Sequence, residues 1–376
     1  MSRPLGALKV LLVTPRYAPA IGGVEWHTQM LANELRRQGV SVEVACTDPG
    51  ARAPRAGAVD GITVRRFPTI RGDSTFFVSP SLMRWVVRHA GDYDIVHAHS
   101  YHTPLPLLAA VATRRARVPF VVTPHFHGSG HTPARRLLHV PYRFAGAWAI
   151  QRADAVVCVS NAERTLLGRL VTLNKTVAVI PNGIDTDEVL AAETISPRPS
   201  ARIVLVVGRL ERYKGAARVI EASKLLPTTM DLVVIGDGPD RANVFTAADE
   251  AGIGKRFQWR ARVQRSELLS WYRTADVFVS MSAHEAFGLT LLEAVVGGAR
   301  AIASDIPAHR EVAQFLPPGS VEFMDLAASS AELAAGVVRA EARGRVLDAS
   351  ATVPSWEEVA LRTLDVYHRV ARPKAT

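Results

Sequence analysis

The sequence predicts an α/β fold built from two Rossmann-like halves. Apolar runs of strand length alternate with helical stretches, and each run ends in glycine or polar residues. This organisation occurs twice, before and after a polar, proline-containing stretch at residues 193–202 that we interpret as a linker. A chain of 376 residues is longer than one ordinary core usually serves, so we expect two domains of similar size.

The composition is that of a globular protein, with 48% hydrophobic and 21% charged residues. The two cysteines, Cys46 and Cys158, lie in predicted strands without metal-like spacing, which predicts core residues in a reducing compartment. The N-terminus shows a single short apolar run at residues 8–14, and no run reaches the ~18 apolar residues of a spanning helix. We therefore expect a cytoplasmic protein.

The net charge of +10 favours anionic partners such as nucleotide phosphates, acidic lipid headgroups or nucleic acid. Nucleic acid is the least favoured of these, because the sequence has no zinc-finger spacing, no aromatic RNA-binding signature and no dense Lys/Arg block. The charge alone thus points to a phosphate-bearing ligand or surface.

The first half opens with a strand at residues 8–14, a turn containing Gly22 and Gly23, a helix at 24–38 and a strand at 40–46. Adjacent glycines let backbone N–H groups approach an anion, although a tight turn without a ligand explains them equally well. Further strands are predicted by apolar runs at 95–99, 120–123, 155–159 and 177–180.

Polar side chains follow these strands: His97, His99 and Ser100 after one, His125 and His127 after the next. In a doubly wound sheet the carboxyl ends of the strands form the functional edge. The histidines could bind a metal, but no acidic partner accompanies them at helical spacing, so we expect no metal site and favour sugar or phosphate recognition.

In the second half, strands are predicted at 203–207, 232–235, 277–279 and 301–303. The first ends in Gly208-Arg209, with Lys214 shortly after. The third leads to Glu285 and Glu293, with a helix predicted to begin near Gly288. Its N-terminal N–H groups suit a phosphate, and carboxylates suit sugar hydroxyls. Taken alone, a buried helix behind an acidic loop explains this spacing equally well.

Five features in chain order resemble the retaining, nucleotide-sugar-dependent glycosyltransferases of the GT-B fold, the large bacterial family with the E-x7-E motif. They are the Gly22-Gly23 turn, His125 at a strand end, the junction at 181–185, the Arg209/Lys214 pair and the Glu285/Glu293 pair. The resemblance covers nearly the whole chain. It implies two Rossmann-like domains with parallel sheets that face an interdomain cleft.

The family pattern also implies roles for individual residues. The implied catalytic set is His125, Arg209, Lys214 and Glu285, in which the two cations clamp the donor diphosphate, Glu285 holds a sugar hydroxyl and His125 positions the donor sugar and the acceptor. Glu293 would hold the ribose hydroxyls. The donor site is completed by Gly22, Gly23, Phe287, Gly288 and Leu289, and the acceptor-binding candidates are His99, Ser100 and His127. Ala261 and Arg300 depart from the family pattern and leave the base and the sugar open.

The implied activity is metal-independent, retaining transfer of a hexosyl unit from a UDP- or GDP-sugar to an acceptor hydroxyl, without a cofactor. The acceptor would be a small molecule, a glycan or a lipid-linked molecule, and contact with the inner face of the membrane is compatible with it. Two alternatives stay open: a nucleotide-sugar-binding protein without transfer activity, and an epimerase or phosphorylase on the same scaffold. The cofactor-lysine motif of a phosphorylase is not evident.

We assign residues 1–185 to an acceptor-binding domain, 186–355 to a donor-binding domain, and 356–376 to a closing helix that packs back on the first domain. Residues 131–152 mix arginines with apolar residues, which fits either a membrane or acidic-acceptor patch or a connecting helix on the first sheet. Pro141 argues against one long amphipathic helix there.

Overall fold

The computed structural model describes residues 8–20, 22–52, 54–70, 78–128, 133–173, 176–195, 201–349 and 352–371, with backbone only at 133–141. Its contacts divide the chain into two compact units. The first unit comprises Met1–Gly183 and Trp356–Thr376, and the second is Ile184–Ser355.

The sheet of the first unit has eight strands among the described residues, in the order β3-β4-β2-β1-β5-β6-β7-β8. The strands are β1 (Lys9–Thr14), β2 (Ser41–Thr47), β3 (Arg55–Val59), β4 (Ile62–Phe67), β5 (Ile95–His99), β6 (Phe120–Thr123), β7 (Ala155–Cys158) and β8 (Thr176–Val179). All neighbours run parallel except β3 and β4, which form a hairpin through Asp60 and Gly61. Both turn residues have positive φ, as a tight hairpin requires.

Helices connect these strands and cover both faces of the sheet. They are α1 (Gly23–Arg37), α2 (Pro80–His89), α3 (Leu105–Ala116), α4 (Pro133–Arg152) and α5 (Asn161–Gly168). Apolar side chains that alternate along the strands fill two buried layers, with Leu11 and Val13 in one and Leu12 in the other. This two-sided burial explains why the central strands are apolar throughout.

The sheet of the second unit is parallel throughout, with six strands in the described residues in the order β11-β10-β9-β12-β13-β14. The strands are β9 (Arg202–Val207), β10 (Met230–Ile235), β11 (Phe257–Arg260), β12 (Val277–Ser280), β13 (Arg300–Ser304) and β14 (Val321–Met324). The order reverses between β9 and β12, and such a switch point is where open α/β sheets bind ligands.

The helices of the second unit are α6 (Thr186–Ala191), α7 (Ala216–Ser223), α8 (Arg241–Ala251), α9 (Arg265–Thr274), α10 (Leu289–Val296), α11 (Pro307–Val312) and α12 (Ser330–Ala342). Short 3-10 turns lie at Ala90–Asp92, Arg212–Lys214, Gly254–Arg256 and Ala313–Phe315. The last helix, α13 (Trp356–Val370), belongs to the first unit, where it packs on α1 and β7.

The predicted α/β class with two parallel sheets is confirmed. One expectation was wrong: Pro141 does not break the helical segment, because α4 runs continuously from Pro133 to Arg152. An internal proline costs one backbone hydrogen bond, and burial of Ala149 and Ile150 in the core beyond it stabilises the second half of the helix. Of the predicted linker, residues 196–200 lie outside the described part and Arg202 already belongs to β9.

No helix in the described part of the chain combines the length and the apolar composition that crossing a membrane requires.

Candidate active site

The loop after β9 carries the predicted cationic pair. Gly208 and Arg209 follow the strand, and Lys214 ends the 3-10 turn Arg212–Lys214. Gly215 then adopts φ +72°, and a Cβ at this position would lie 2.5 Å from the carbonyl oxygen of Met281. Only glycine satisfies both constraints, so the Lys214-Gly215 step sets this loop directly against the chain that leaves β12.

This approach pairs Lys214 with Glu285. The Lys214 Nζ lies 2.6 Å from Glu285 Oε1, and the two side chains are 24% and 16% exposed. Burial alone would raise the pKa of Glu285, but the Lys214 ammonium and a hydrogen bond from Ser282 outweigh it and leave the pKa below its usual value. Burial lowers the pKa of Lys214, yet the Glu285 carboxylate outweighs it and the pKa is raised. Both groups are therefore charged at neutral pH.

Arg209 extends the same charged region towards solvent. Its side chain is 58% exposed, with Nε 3.4 Å from Glu211 Oε1. One cavity of the second unit is lined by Gly208, Arg209, Lys214, Ser280 and Glu285. The structure thus brings the predicted Arg209, Lys214 and Glu285 around one opening at the switch point of the sheet.

Helix α10 begins beside these residues. Gly288 precedes it with φ +122°, a conformation that L side chains rarely adopt, and Leu289 is its first residue. Phe287 is 3% exposed, so little of this residue is accessible to a ligand. In its first turn the N–H groups of Leu291 and Leu292 donate to the Gly288 carbonyl oxygen at 3.1 and 3.3 Å. Those of Leu289 and Thr290 lack a partner within the helix by helix geometry, and such groups suit a phosphate.

Glu293 lies further along α10 and is almost completely buried. Its Oε1 accepts a hydrogen bond of 2.6 Å from Arg265 Nη1, and the Glu293 side chain is 4% exposed. Burial raises the pKa of Glu293, and the Arg265 guanidinium opposes that rise. Arg265 also donates from Nε and Nη2 to Glu188 Oε2, each at 3.2 Å. The sequence-based reasoning missed Arg265 and Glu188, because a lone arginine 28 positions before Glu293 gives no local signal.

A buried histidine was also missed. The His309 Nδ1 lies 2.9 Å from the Ser304 carbonyl oxygen, and its Nε2 lies 3.4 Å from Ser280 Oγ. Burial lowers its pKa, while attraction to Glu285 opposes this shift. A Cβ at Gly288 would be 3.5 Å from its ring. The His309 ring therefore packs against the start of α10. The sequence signal near it was Pro307, which lies at the start of α11.

In the first unit, His125 lies in a cluster of imidazoles at the ends of β5 and β6. It has φ +49°, and its Nε2 lies 3.4 Å from His99 Nδ1. His27 of α1 approaches His125 with 4.8 Å between ring centroids and bonds Asn182 Oδ1 through Nδ1 at 2.8 Å. His97 joins Tyr367 and Thr123, with ring nitrogen to hydroxyl distances of 2.7 and 2.8 Å. His27 and Asn182 were not predicted.

Burial keeps this cluster neutral. It lowers the pKa of His27 to about 4 and that of His97 to about 3. The pKa values of His99 and His125 also fall well below the usual value, first through burial and then through the neighbouring imidazoles. Neutral imidazoles offer both a donor and an acceptor, which suits hydrogen bonding to hydroxyls.

A metal ion is the other ligand that such a cluster could hold. One nitrogen each from His27, His99 and His125 lies within 4.8 Å of the other two. Ligand nitrogens around zinc, at Zn–N distances of ~2.1 Å, would be about 3.4 Å apart, and His99 Nδ1 and His125 Nε2 already lie at that distance. His27 Nδ1 is bonded to the Asn182 amide oxygen. The expectation that these residues bind no metal stays a prediction.

The remaining predicted site residues of the first unit are Gly22, Gly23, Ser100 and His127. Gly22 is extended and precedes α1, and Gly23 has no neighbour within 4 Å of the place where a Cβ would be. Ser100 has φ +75° and donates its N–H to the Thr123 carbonyl oxygen at 3.0 Å. The His127 ring stacks on His102 with 4.6 Å between centroids. His131 and the side chains of Arg135 and Arg136 lie outside the described residues.

Two family models match the chain in sequence order. "Glycosyltransferase Family 4" matches residues 21–188, and "Glycosyl transferases group 1" matches residues 193–321. The GDP-mannose:cellobiosyl-diphosphopolyprenol alpha-mannosyltransferase of Xanthomonas campestris is 26% identical over 381 residues, which cover 96% of this chain and 97% of the relative.

Solved structures share the fold across almost the whole chain. Sucrose-phosphate synthase from Thermosynechococcus elongatus superposes with a TM-score of 0.75 at 20% identity, covering 96% of this chain and 98% of the other. The HepE protein of Anabaena, in complex with UDP and glucose, also gives 0.75, at 18% identity with coverage of 96% and 99%. Together with the two matched family models, these similarities show that the chain belongs to the GT-B glycosyltransferases.

Proposed function

We propose that this chain transfers a hexosyl unit from a nucleoside-diphosphate sugar to an acceptor hydroxyl, with retention of anomeric configuration and without a metal ion or cofactor. The observation that carries the proposal is the Lys214–Glu285 ion pair, 2.6 Å long, at a cavity that Arg209 also lines. A cation and a carboxylate therefore lie side by side next to the start of α10, which supports one site for the diphosphate and the sugar.

The cationic side of this arrangement suits the leaving group. As the bond from the anomeric carbon to the phosphate oxygen breaks, the departing nucleoside diphosphate gains negative charge. Lys214, Arg209 and the N–H groups at the start of α10 stabilise that charge more in the transition state than in the ground state. These groups supply what a divalent cation supplies in other sugar transferases, so metal is not required.

The carboxylates divide the recognition of the donor. Glu285 is ionised and held by Lys214, which suits an acceptor of sugar hydroxyl hydrogen bonds. The Glu293 carboxylate accepts hydrogen bonds from the ribose hydroxyls. His125, neutral and held in a left-handed backbone conformation, positions the donor sugar and the acceptor through hydrogen bonds.

Retention follows from attack on the face from which the diphosphate leaves. The acceptor oxygen forms the new bond to the anomeric carbon, the bond to the phosphate oxygen breaks, and the leaving phosphate oxygen takes the acceptor proton. Because Glu285 is engaged by Lys214, it is better placed to bind a hydroxyl than to act as the nucleophile of a two-step reaction.

The comparisons support a UDP- or GDP-hexose donor. The Xanthomonas relative is named for GDP-mannose and a polyprenol-linked acceptor, and the Anabaena structure contains UDP and glucose. We propose a hexose in the donor and a sugar, free or lipid-linked, as the acceptor.

A thermal-shift panel of UDP- and GDP-sugars tests the proposal, because a ligand of the folded state raises the melting temperature by mass action. We expect one donor to stabilise the protein and to be consumed with a suitable acceptor. The variants Lys214→Met and Glu285→Gln should lower turnover at least 100-fold, about 3 kcal/mol of transition-state stabilisation. Arg339→Met is the matched control, because it breaks an exposed ion pair with Glu322 and should leave turnover unchanged.

Retention of configuration and independence of metal are tested by separate measurements. The anomeric configuration of the product by NMR should match that of the donor, and EDTA treatment should leave the rate unchanged. An inverted product would overturn retention, and activity restored only by Mg²⁺ or Mn²⁺ would overturn metal independence. Donor binding with wild-type turnover in Lys214→Met would remove the assignment of the charged pair.

A further inference from the structure

Arg265 stands in an electrostatically unfavourable place on its own helix. It is the first residue of α9, where the helix macrodipole presents its positive end and disfavours a cation. Something outside α9 must therefore hold this guanidinium. The structure shows what does: Glu293 of α10 at 2.6 Å and Glu188 of α6 at 3.2 Å.

The arrangement is asymmetric. Glu293 is 4% exposed at its side chain, Arg265 is 22% exposed and Glu188 is 38% exposed. Arg265 thus lies between the partly exposed carboxylate of Glu188 and the buried carboxylate of Glu293. Its contact with Glu188, made by both Nε and Nη2, fixes the plane of the guanidinium and aims Nη1 at Oε1 of Glu293.

A carboxylate as buried as Glu293 is costly to ionise without a cation beside it. The titratable groups that face it are Arg265 and Tyr272 from α9 and Glu188 from α6. Arg265 is the only cation among these three. The Tyr272 hydroxyl also favours the ionised form, through a hydrogen bond, whereas Glu188 opposes ionisation. The pKa of Glu293 is raised by burial even with Arg265 beside it, so loss of the guanidinium would raise it further.

We propose that Arg265 is a positioning residue for the nucleotide: it keeps Glu293 ionised and occupies Oε1, so that Oε2 is presented to the two ribose hydroxyls. The inference rests on the proposed function, in which Glu293 binds the ribose. In this proposal Arg265 acts through Glu293 and not through a contact with the donor. It keeps the Glu293 carboxylate charged and oriented as a hydrogen-bond acceptor, which gives the enzyme a preference for nucleotides that carry both ribose hydroxyls.

Calorimetric binding of UDP and GDP, each compared with its 2′,3′-dideoxy analogue, tests the proposal. For the wild type we expect tighter binding of the ribonucleotide by about tenfold, the value of one charge-assisted hydrogen bond. Arg265→Met should reduce this ratio severalfold at pH 7, because loss of the guanidinium raises the pKa of Glu293 further and its protonated form is a weaker acceptor. The ratio should recover as the pH is raised, because a carboxyl with a raised pKa ionises again at higher pH.

A purely structural role would lower affinity for both analogues equally and would not recover with pH. Arg265→Lys keeps the charge and should keep the wild-type pH profile. Glu293→Gln should abolish the preference at every pH, and adding Arg265→Met to it should change the ratio no further. If Arg265→Met does not fold, Arg265→Gln, which keeps a donor without charge, carries the same expectation.

The outcomes separate the two claims. A wild type that binds ribo- and dideoxynucleotides equally would overturn the assignment of the ribose to Glu293, and with it this part of the proposed function. A wild type that discriminates, combined with an uncharged Arg265 variant that keeps the same ratio from pH 6 to pH 9, would overturn the role of Arg265 alone.

Discussion

At the residue scale, the site consists of carboxylates whose charge depends on one specific cation each. Glu285 has its pKa lowered because Lys214 outweighs burial, whereas Glu293 has its pKa raised because burial outweighs Arg265. The sequence predicted Lys214 and Glu285 as members of one site. It could not predict Arg265, because which arginine reaches a buried carboxylate depends on how two helices pack.

The Lys214–Glu285 pair makes a prediction about stability and pH. In the wild type, Glu285 has a lowered pKa, so its contribution is present above the unfolded value of about 4.5 and is lost as the pH falls through the folded value. In Lys214→Met, burial acts without the cation and raises that pKa. Stability should then fall as the pH rises and Glu285 is forced to ionise.

We expect Lys214→Met to cost about 1–3 kcal/mol at pH 7, less than a fully buried pair because both side chains touch solvent. Denaturant unfolding from pH 4 to pH 8 measures it. The double variant Lys214→Met/Glu285→Gln should recover most of the loss at neutral pH. A loss independent of pH, and equal in the double variant, would show that Lys214 stabilises through packing instead.

At the scale of elements, apolar runs were sufficient to predict the central strands and α10. They failed at three sheet edges: β3 is mostly exposed, and β11 and β14 are four-residue strands with half-buried positions. They also missed β4, the neighbour of β3, in which two arginines interrupt the apolar residues. An edge strand needs only one buried face, so its sequence carries little hydrophobic signal. The prediction for α4 was wrong for a different reason. Packing of the second half of the helix stabilises it enough to continue past Pro141.

Gly215 shows how one turn sets the geometry of the site. Gly215→Ala would place a methyl group 2.5 Å from the Met281 carbonyl oxygen and force an L residue to φ +72°. We expect a loss of about 2 kcal/mol or more, together with weaker donor binding, because the loop that carries Lys214 must move away from Glu285.

Gly252→Ala is the matched control for this change. Gly252 has φ +63° at the end of α8, but nothing lies within 4 Å of its added Cβ. It should lose only the cost of the backbone conformation, about 1 kcal/mol, and should bind the donor as the wild type does. Thermal unfolding and donor titration of both variants give the comparison. Equal losses in the two variants would mean that the contact with Met281 is unimportant.

At the scale of the whole molecule, the chain crosses from the first unit to the second and returns through α13. The amphipathic pattern predicted this helix, and its apolar face, including Trp356 and Leu364, fills the core of the first unit. The pattern could not predict that the Tyr367 hydroxyl would form a hydrogen bond with His97 of β5. The fold class was therefore readable from the sequence, whereas the polar network depended on contacts between distant segments.

The buried histidines of that network make the free energy of unfolding depend on pH. His27 and His97 have folded-state pKa values of about 4 and about 3, below the unfolded value of 6.5. Between these values the unfolded chain binds more protons than the folded one, so the free energy of unfolding falls as the pH falls. Each histidine that stays neutral should cost about 2 kcal/mol between pH 6.5 and pH 5.

Denaturant unfolding at pH 7.5, 6.0 and 5.0 should show this loss in the wild type. His97→Gln should start less stable, because its hydrogen bonds to Tyr367 and Thr123 are disturbed, but its stability should fall less steeply with acid by about one proton. His89→Gln removes a histidine that is 43% exposed and should keep the wild-type slope. The opposite ranking of the two slopes would place the acid sensitivity outside the buried cluster.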